Sequence, residues 1–312
     1  MRNFLDALHI CNGYLSMPTV DHEFGGQHTE LKLSIIEKYL KAYTTALTGK
    51  FDELWYIDAF AGTGSRTIKH EEMPADVLGP GEPERIEQRR GSAKIAIDVS
   101  PHFDLIVFIE AKPTHIAALN DLAAKHPRRR ITVIKGDAND ALKNLIAANS
   151  WRSTRAVLFL DPYGMEVEWS TLEKVASTKA IDVWFLFPLA GLYRQATRQL
   201  MNIDQHKRAA LTRMFGSEAW EEELYPKTFK NDLFEGISEG PRERAADVAG
   251  LERYAKSRLE KIFSKVLKPL PLPPNKRPQL FSLFLCISNK DPKAVGLATR
   301  IGDHIRKAGI SS

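Results

Sequence analysis

The chain has 312 residues, 43% of them apolar and 27% charged, with a net charge of +5. These are the proportions of an ordinary globular protein with room for one large α/β domain or two modest ones. No run reaches the length of a membrane span, the opening residues are broken by His9 and Asn12 and do not resemble a secretory signal, and Cys11 and Cys286 are too few for a disulfide scaffold or a zinc cluster. The expected location is the cytoplasm, with no membrane partner.

The first 27 residues lack periodicity and read as an arm. From Thr29, apolar Leu31, Ile35, Tyr39, Tyr43 and Leu47 recur every four residues, which predicts an amphipathic helix ending near Gly49. Residues 54–58 form a short apolar strand that runs into the turn Ala61-Gly62-Thr63-Gly64. Residues 66–90 mix charges with three prolines and predict a long loop. A helix is expected over 92–99, a strand over 104–110, and a helix capped by Thr114 to about Lys125. A third strand at 131–134 precedes a helix capped by Asn139, and a fourth strand spans 156–160. Ser170 and Glu173 have capping-box spacing, and residues 182–187 form a fifth strand. Helices are expected from about 190 to 265, and a loop over the five prolines of 269–278. A last strand at 280–287 leads to a helix opened by Asp291 and Pro292 and ending before Gly309.

Near-continuous apolar strands alternating with helices predict a mostly parallel twisted sheet covered on both faces. Residues 1–50 supply the arm and first helix, 51–190 a Rossmann-like core, 191–265 a helical insertion, and 266–312 a strand and helix that complete the core.

In such a sheet, ligands bind beyond the carboxyl ends of the strands. The ends here are polar: Asp58 before Gly62 and Gly64, then Glu110, Gly136-Asp137, and Asp161-Pro162-Tyr163-Gly164. Glycines let a backbone approach a ligand closely. Glu110 can accept both hydroxyls of a ribose and Asp137 an adenine amine, although each could equally serve structure, as a strand-end Asp does when it caps the next helix. Thr67 stands where a dinucleotide fingerprint has its third glycine, which argues against a nicotinamide-dependent oxidoreductase. Asp58 before the turn suits a cationic sulfonium and amino group better than a pyrophosphate.

These residues resemble class I methyltransferases, from Tyr56-Ile-Asp58-Ala-Phe60-Ala-Gly62-Thr-Gly64 through Glu110, Gly136-Asp137-Ala138 and Leu158-Phe-Leu-Asp161-Pro-Tyr-Gly164. More narrowly, residues 28–300 resemble the three-Cys-motif partner proteins, a bacterial methyltransferase-like family. The supporting segments are His28-Thr29, Lys32-Leu33, Tyr39-Leu40, Gly91-Ser92, Val167-Glu-Trp169, Phe187-Pro188 and Arg194. The resemblance implies S-adenosylmethionine as cofactor, held by Asp58, Phe60, Gly62, Gly64, Glu110, Ala111, Asp137, Ala138 and Asp161. Amine-methylating relatives carry Asp/Asn-Pro-Pro-aromatic at strand four, whereas Tyr163 here follows a single proline.

Methyl transfer depends mainly on alignment of the reactants. Asp161 is expected to accept a hydrogen bond from the nucleophile, or merely to cap a turn. Tyr163 is expected to stack on or bound a planar substrate beside Pro162, and Arg194 to contact a phosphate or carboxylate. Rim packing and a surface ion pair are the plainer alternatives for these two. His28 and Lys32 either cover the cofactor or lie on a solvated helix face, and residues 66–90 are a candidate lid. Eight Lys/Arg against two Glu over 251–277, a local +6, suggest a nucleic-acid partner or a solvated helix side. The alternative function is a non-catalytic accessory protein of the same fold serving a partner protein.

Overall fold

The computed structural model describes residues 21–70, 85–232, 236–274 and 279–310. Helix α1 (Asp21–Leu47) leads into β1 (Glu53–Asp58), and a hairpin of β2 (Ser65–His70) and β3 (Arg85–Arg90) follows the glycine turn. Then α2 (Ser92–Asp98), β4 (Leu105–Glu110), α3 (Pro113–Ala124), β5 (Ile131–Lys135), α4 (Ala138–Ala148), β6 (Thr154–Leu160), α5 (Trp169–Ser177) and β7 (Ile181–Phe187) alternate. Next come α6 (Leu189–Gln195), α7 (Gln205–Phe215), α8 (Trp220–Leu224), a second hairpin of β8 (Phe229–Asp232) and β9 (Gly236–Glu239), and α9 (Val248–Glu260). Strands β10 (Lys265–Val266), β11 (Leu270–Leu272) and β12 (Phe281–Ile287) precede α10 (Pro292–Ile310).

The central sheet has the order β5-β4-β1-β6-β7-β12-β10, with β11 also paired to β12. The first five strands are mutually parallel, and β12 runs antiparallel to β7. This is a Rossmann-like α/β fold with helices on both faces. Alternation along each strand sorts the core in two. Trp55, Ile57, Val107, Leu158 and Val183 pack under α4, α5, α7 and α9, while Leu54, Tyr56, Ile106, Val157 and Trp184 pack under α1, α2 and α10. With both faces covered, every residue of β4 is buried, which is why its sequence reads as an unbroken apolar run.

Several expectations need correction. Helix α1 begins at Asp21 rather than Thr29, because its first two turns carry no apolar stripe to betray them. Residues 66–90 are not a plain loop: their two ends pair as β2 and β3, with Ser65 opposite Arg90 and His70 opposite Arg85. The 190–265 stretch contains the β8–β9 hairpin as well as helices. The proline-rich loop contains β11, whose Leu270 and Leu272 bury opposite Leu283 and Phe281; Pro271 between them is tolerated on a strand at the sheet margin. Asp137, not Asn139, caps α4, accepting from the Asn139 and Asp140 N–H groups at 2.8 and 3.1 Å. Thr114 lies inside α3, whose first residue is Pro113. The Ser170/Glu173 capping box does not form, since Glu173 instead accepts from the Trp169 indole at 2.9 Å. Asp291 caps α10 as expected, accepting from Lys293 and Ala294 at 2.8 and 3.1 Å, and the helix extends to Ile310.

The expected arm at 1–20 with Cys11, the middle of the candidate lid at 71–84, and Lys276 and Arg277 of the basic segment lie outside the described residues, as does the His28 side chain. Among the described residues, no helix is long and apolar enough to cross a membrane.

Candidate active site

The parallel strands bring Asp58, Glu110, Lys135, Leu160 and Phe187 to one rim of the sheet. A cleft of about 500 Å³ opens there, walled by the 60–64 turn, Gly91-Ser92, His115, Asp161-Pro162-Tyr163, Leu186, Phe281 and, from α1, Thr29, Lys32 and Leu33. That size is within the usual range for small-molecule sites.

The turn requires its glycines for two different reasons. Gly62 has φ +60° and a Cβ there would meet nothing within 4 Å, so its backbone faces open space. Gly64 has φ +75°, and a Cβ would come within 2.8 Å of Leu122 on α3. It lets helix and turn pack closely.

Glu110 clamps this turn from behind. One carboxylate oxygen accepts from the Gly62 N–H at 2.9 Å and contacts His115 Nδ1 at 3.2 Å; the other accepts from the Ala111 and Lys112 N–H groups, both at 2.9 Å. Each oxygen has two lone-pair directions, so all four are used. Burial pushes this carboxyl up, but the Lys112 N–H, His115 and the Ala111 N–H outweigh it and hold it below its ordinary value. The Glu110 contact engages Nδ1 and leaves Nε2 as the second polar atom of a ring that lines the cleft.

Asp58 lies fully buried beneath the cleft. It accepts from Ser92 Oγ at 2.6 Å, from the Phe60 N–H at 3.2 Å and from Tyr56 OH at 3.3 Å. Burial pushes its carboxyl up to about 6; Asp161 adds to the rise and the three donors oppose it. The Gly91 N–H meanwhile donates to Gly64 O at 3.0 Å, so the β2–β3 hairpin returns to the same wall from which it leaves.

Across the cleft, Asp161 Oδ2 is paired with Lys32 Nζ, which α1 carries in with only 6% of the residue exposed. Lys32 also lies 5.7 Å from the Phe159 ring. Its pairing leaves Oδ1 available to a ligand. Tyr163 is 70% exposed, and Lys112 Nζ sits 4.6 Å over its ring.

The cleft thus gathers Phe60, Gly62, Gly64, Asp161, Pro162 and Tyr163 from the sequence-derived set. Asp58 and Glu110 stand behind its wall as supports. Ala111, Asp137 and Ala138 are not among the lining residues, and Asp137 serves as the α4 cap. Arg194 is exposed on α6, outside the cleft. Sequence reasoning missed His115, which sits in the first turns of α3 and shows its purpose only through Glu110. It also missed the supporting role of Ser92, for which a hydroxyl directly after Gly91 is an insufficient signal.

No protein-family model matches the chain, and no curated protein matches it. Among solved structures it is similar to a Legionella pneumophila protein at 12% identity and TM-score 0.43, with 90% of this chain and 94% of that one covered. It is similar to the N-terminal domain of EvdMO1 with SAH bound at 11% identity and TM-score 0.38, with 80% of this chain and 79% of that one covered. It is also similar to an S-adenosylmethionine-dependent methyltransferase from Clostridium acetobutylicum at 10% identity and TM-score 0.34, covering 80% of this chain and 91% of that one.

Proposed function

We propose that the protein binds S-adenosylmethionine in the rim cleft and catalyses transfer of its methyl group to an acceptor bound beside Asp161 and Tyr163. The observation that carries this reading is the cleft itself: about 500 Å³ at the strand ends, with the open Gly62 backbone on one wall and Asp161 on the other. The chemistry of the donor set fits the cofactor. The carboxylates of Asp58, Glu110 and Asp161, on and behind the wall, outnumber Lys32, the lysine that lines the cleft, which suits a ligand whose sulfonium and ammonium outnumber its carboxylate. Bound there, the cofactor supplies an electrophilic methyl carbon.

The chain's own residues do the rest. Glu110 fixes the Gly62 N–H and orients His115, whose Nε2 suits a ribose hydroxyl. Phe60 gives an apolar wall. Lys32 fixes Asp161 through Oδ2, and Asp161 Oδ1 accepts a hydrogen bond from the nucleophile and takes its proton as the new bond forms. Asp137 caps α4 and takes no part in this scheme.

Calorimetric titration with S-adenosylmethionine tests the reading. The wild type should bind, and Gly62→Val should abolish binding by straining the backbone and projecting a side chain from the turn. Asp161→Asn should bind the cofactor yet fail to transfer labelled methyl groups to a cell extract. Absence of binding in the wild type would refute the cofactor assignment. Full turnover by Asp161→Asn would remove Asp161 from the chemistry. The accessory reading draws on one observation, the Lys32 contact that already occupies one Asp161 oxygen; it requires cofactor binding with no methyl transfer to any fraction.

A further inference from the structure

Helices α1 and α10 pack side by side, and a second concavity, of about 760 Å³, lies between their solvent faces. Its walls keep helical spacing. Helix α1 contributes positions 38, 41, 42, 45 and 46, and α10 contributes 297, 300, 301, 304 and 305, each set at i, i+3, i+4, i+7 and i+8. Eight residues rise about 12 Å, so the groove runs for just over two helical turns. Half-buried Ala42, Ala46, Leu297 and Ile301 make its floor, while exposed Lys38 and Lys41 stand along one edge and exposed Arg300 and His304 along the other.

The chain as a whole is nearly balanced, with 44 Lys and Arg against 39 Asp and Glu, yet no acid lines this groove. Among the described residues its four basic side chains make no ion pair. The nearest acids along the two helices are engaged elsewhere: Glu37 lies 3.2 Å from Arg90, and Asp303 lies 3.5 Å from Arg306. Two rows of unrelieved cations flanking an apolar floor complement an anionic partner with an apolar stripe. A pocket of about 60 Å³ adjoins the groove and shares Ala46, Leu297 and Ile301 with it. It has room for about four to six water-sized groups, the size of one aliphatic side chain. Tyr43, Leu47, Phe51 and Ile287 make its lining mostly apolar, with Arg155, Asp182 and Asn289 as the polar remainder.

We propose that this face docks an acidic amphipathic helix of a partner protein. The apolar stripe of that helix lies on Ala42 and Ile301, one of its side chains fills the adjoining pocket, and its flanking carboxylates meet Lys38, Lys41 and Arg300. Helix-in-groove recognition rests on such a stripe with a buried anchor. A second copy laying its own groove here would set cation against cation. The chain's first 20 residues offer one acid, Asp6, against Arg2. A bilayer would meet a recessed floor rather than projecting apolar side chains. The site is also remote from the rim cleft: Lys32 reaches the cleft from an earlier turn of α1, whereas positions 38–46 lead toward the end of the sheet where β1 begins.

Docking is independent of the methyl-transfer reading, and its test needs no cofactor. Three labelled synthetic peptides of about 15 residues are titrated against the full chain by fluorescence anisotropy, at about 50 and about 200 mM salt. The first carries Leu at i, i+3, i+4 and i+7 flanked by Glu, the second has the same residues scrambled, and the third has Lys for every Glu. The first should bind, more weakly at the higher salt, and at least about tenfold more tightly than the other two. Lys41→Glu with Arg300→Glu should weaken it by about tenfold or more, and Ala46→Trp should weaken it by obstructing floor and pocket with the charges kept. Lys256→Glu on α9 should change nothing. Thermal unfolding checks that each variant is folded, and the charge-reversed pair, at two exposed positions, decides the matter if Ala46→Trp is not. No binding of the acidic peptide at low salt, equal binding of the scrambled or Lys peptide, or indifference to Lys41→Glu with Arg300→Glu would overturn the proposal. So would a dimer in sedimentation velocity, or binding to phosphatidylserine vesicles, that the charge reversal abolishes while the peptide fails to compete.

Discussion

Replacing Glu110 by Gln separates two roles that a strand-end carboxylate can play. The substitution keeps the shape but turns one acceptor into a donor. If the amide nitrogen took the place of the oxygen facing Ala111 and Lys112, two N–H groups, both at 2.9 Å, would lose their acceptor. Each buried donor left unmade costs about 1–3 kcal/mol, so this orientation is the worse one. Turned the other way, the amide faces the Gly62 N–H and His115; the imidazole can shift its proton and accept, leaving only Gly62 unpaired. The lesser penalty governs, and loss of the formal charge weakens the two contacts that remain, so a destabilisation of about 2–3 kcal/mol is expected. Urea unfolding at pH 7 measures it, with calorimetric cofactor titration on the same samples. Stability and affinity should fall together, the latter by about tenfold or more through a relaxed turn. Stability unchanged within about 0.5 kcal/mol would refute the clamp. Lost affinity with full stability would show that Glu110 touches the ligand directly.

Asp182 sits partly buried at the opposite end of the sheet, where desolvation pushes its carboxyl up to about 7 against the opposing Tyr39 hydroxyl, 3.2 Å away, and the Ser288 N–H. A carboxyl raised on folding from 3.8 stabilises the native state below 3.8 and progressively less as pH rises through about 7. At about 1.4 kcal/mol per pH unit the loss is capped at about 4 kcal/mol, and Asp182→Asn should remove much of it, making the variant the more stable protein in urea at pH 8. Cofactor affinity should decline as pH falls through about 6, because protonated Asp58 no longer favours a cation, and Asp58→Asn should flatten that dependence in calorimetry. Gly216, at φ +74° after α7, would place a Cβ 2.0 Å from Trp169 Cδ1. Gly216→Ala should cost about 2–4 kcal/mol in thermal unfolding, whereas Gly49→Ala, at φ +75° with nothing within 4 Å, should cost about 1.

The sheet was legible because burial on two faces leaves a coarse mark: six consecutive buried residues in β4 cannot be mistaken for a surface loop. The β2–β3 hairpin leaves no such mark. Its strands are largely polar, its pairing needs no apolar alternation, and charge with proline is the usual signature of a loop.

The rim shows the same division. Sequence order identifies which carboxylates end strands, since each strand must deliver its last residue to one edge of the sheet. It does not reveal which way a carboxylate then turns. Glu110 turns inward because three backbone N–H groups and His115 are waiting there, and Asp137 turns onto its own helix because the first N–H groups of α4 need an acceptor. Asp161 stays at the cleft because its neighbouring donor is a side chain, Lys32, from a helix 129 residues earlier, which takes one oxygen and leaves the other. A strand-end acid is thus available for chemistry only when local N–H groups do not claim it, and of the four acids on this rim Asp161 is the one held open by a distant cation.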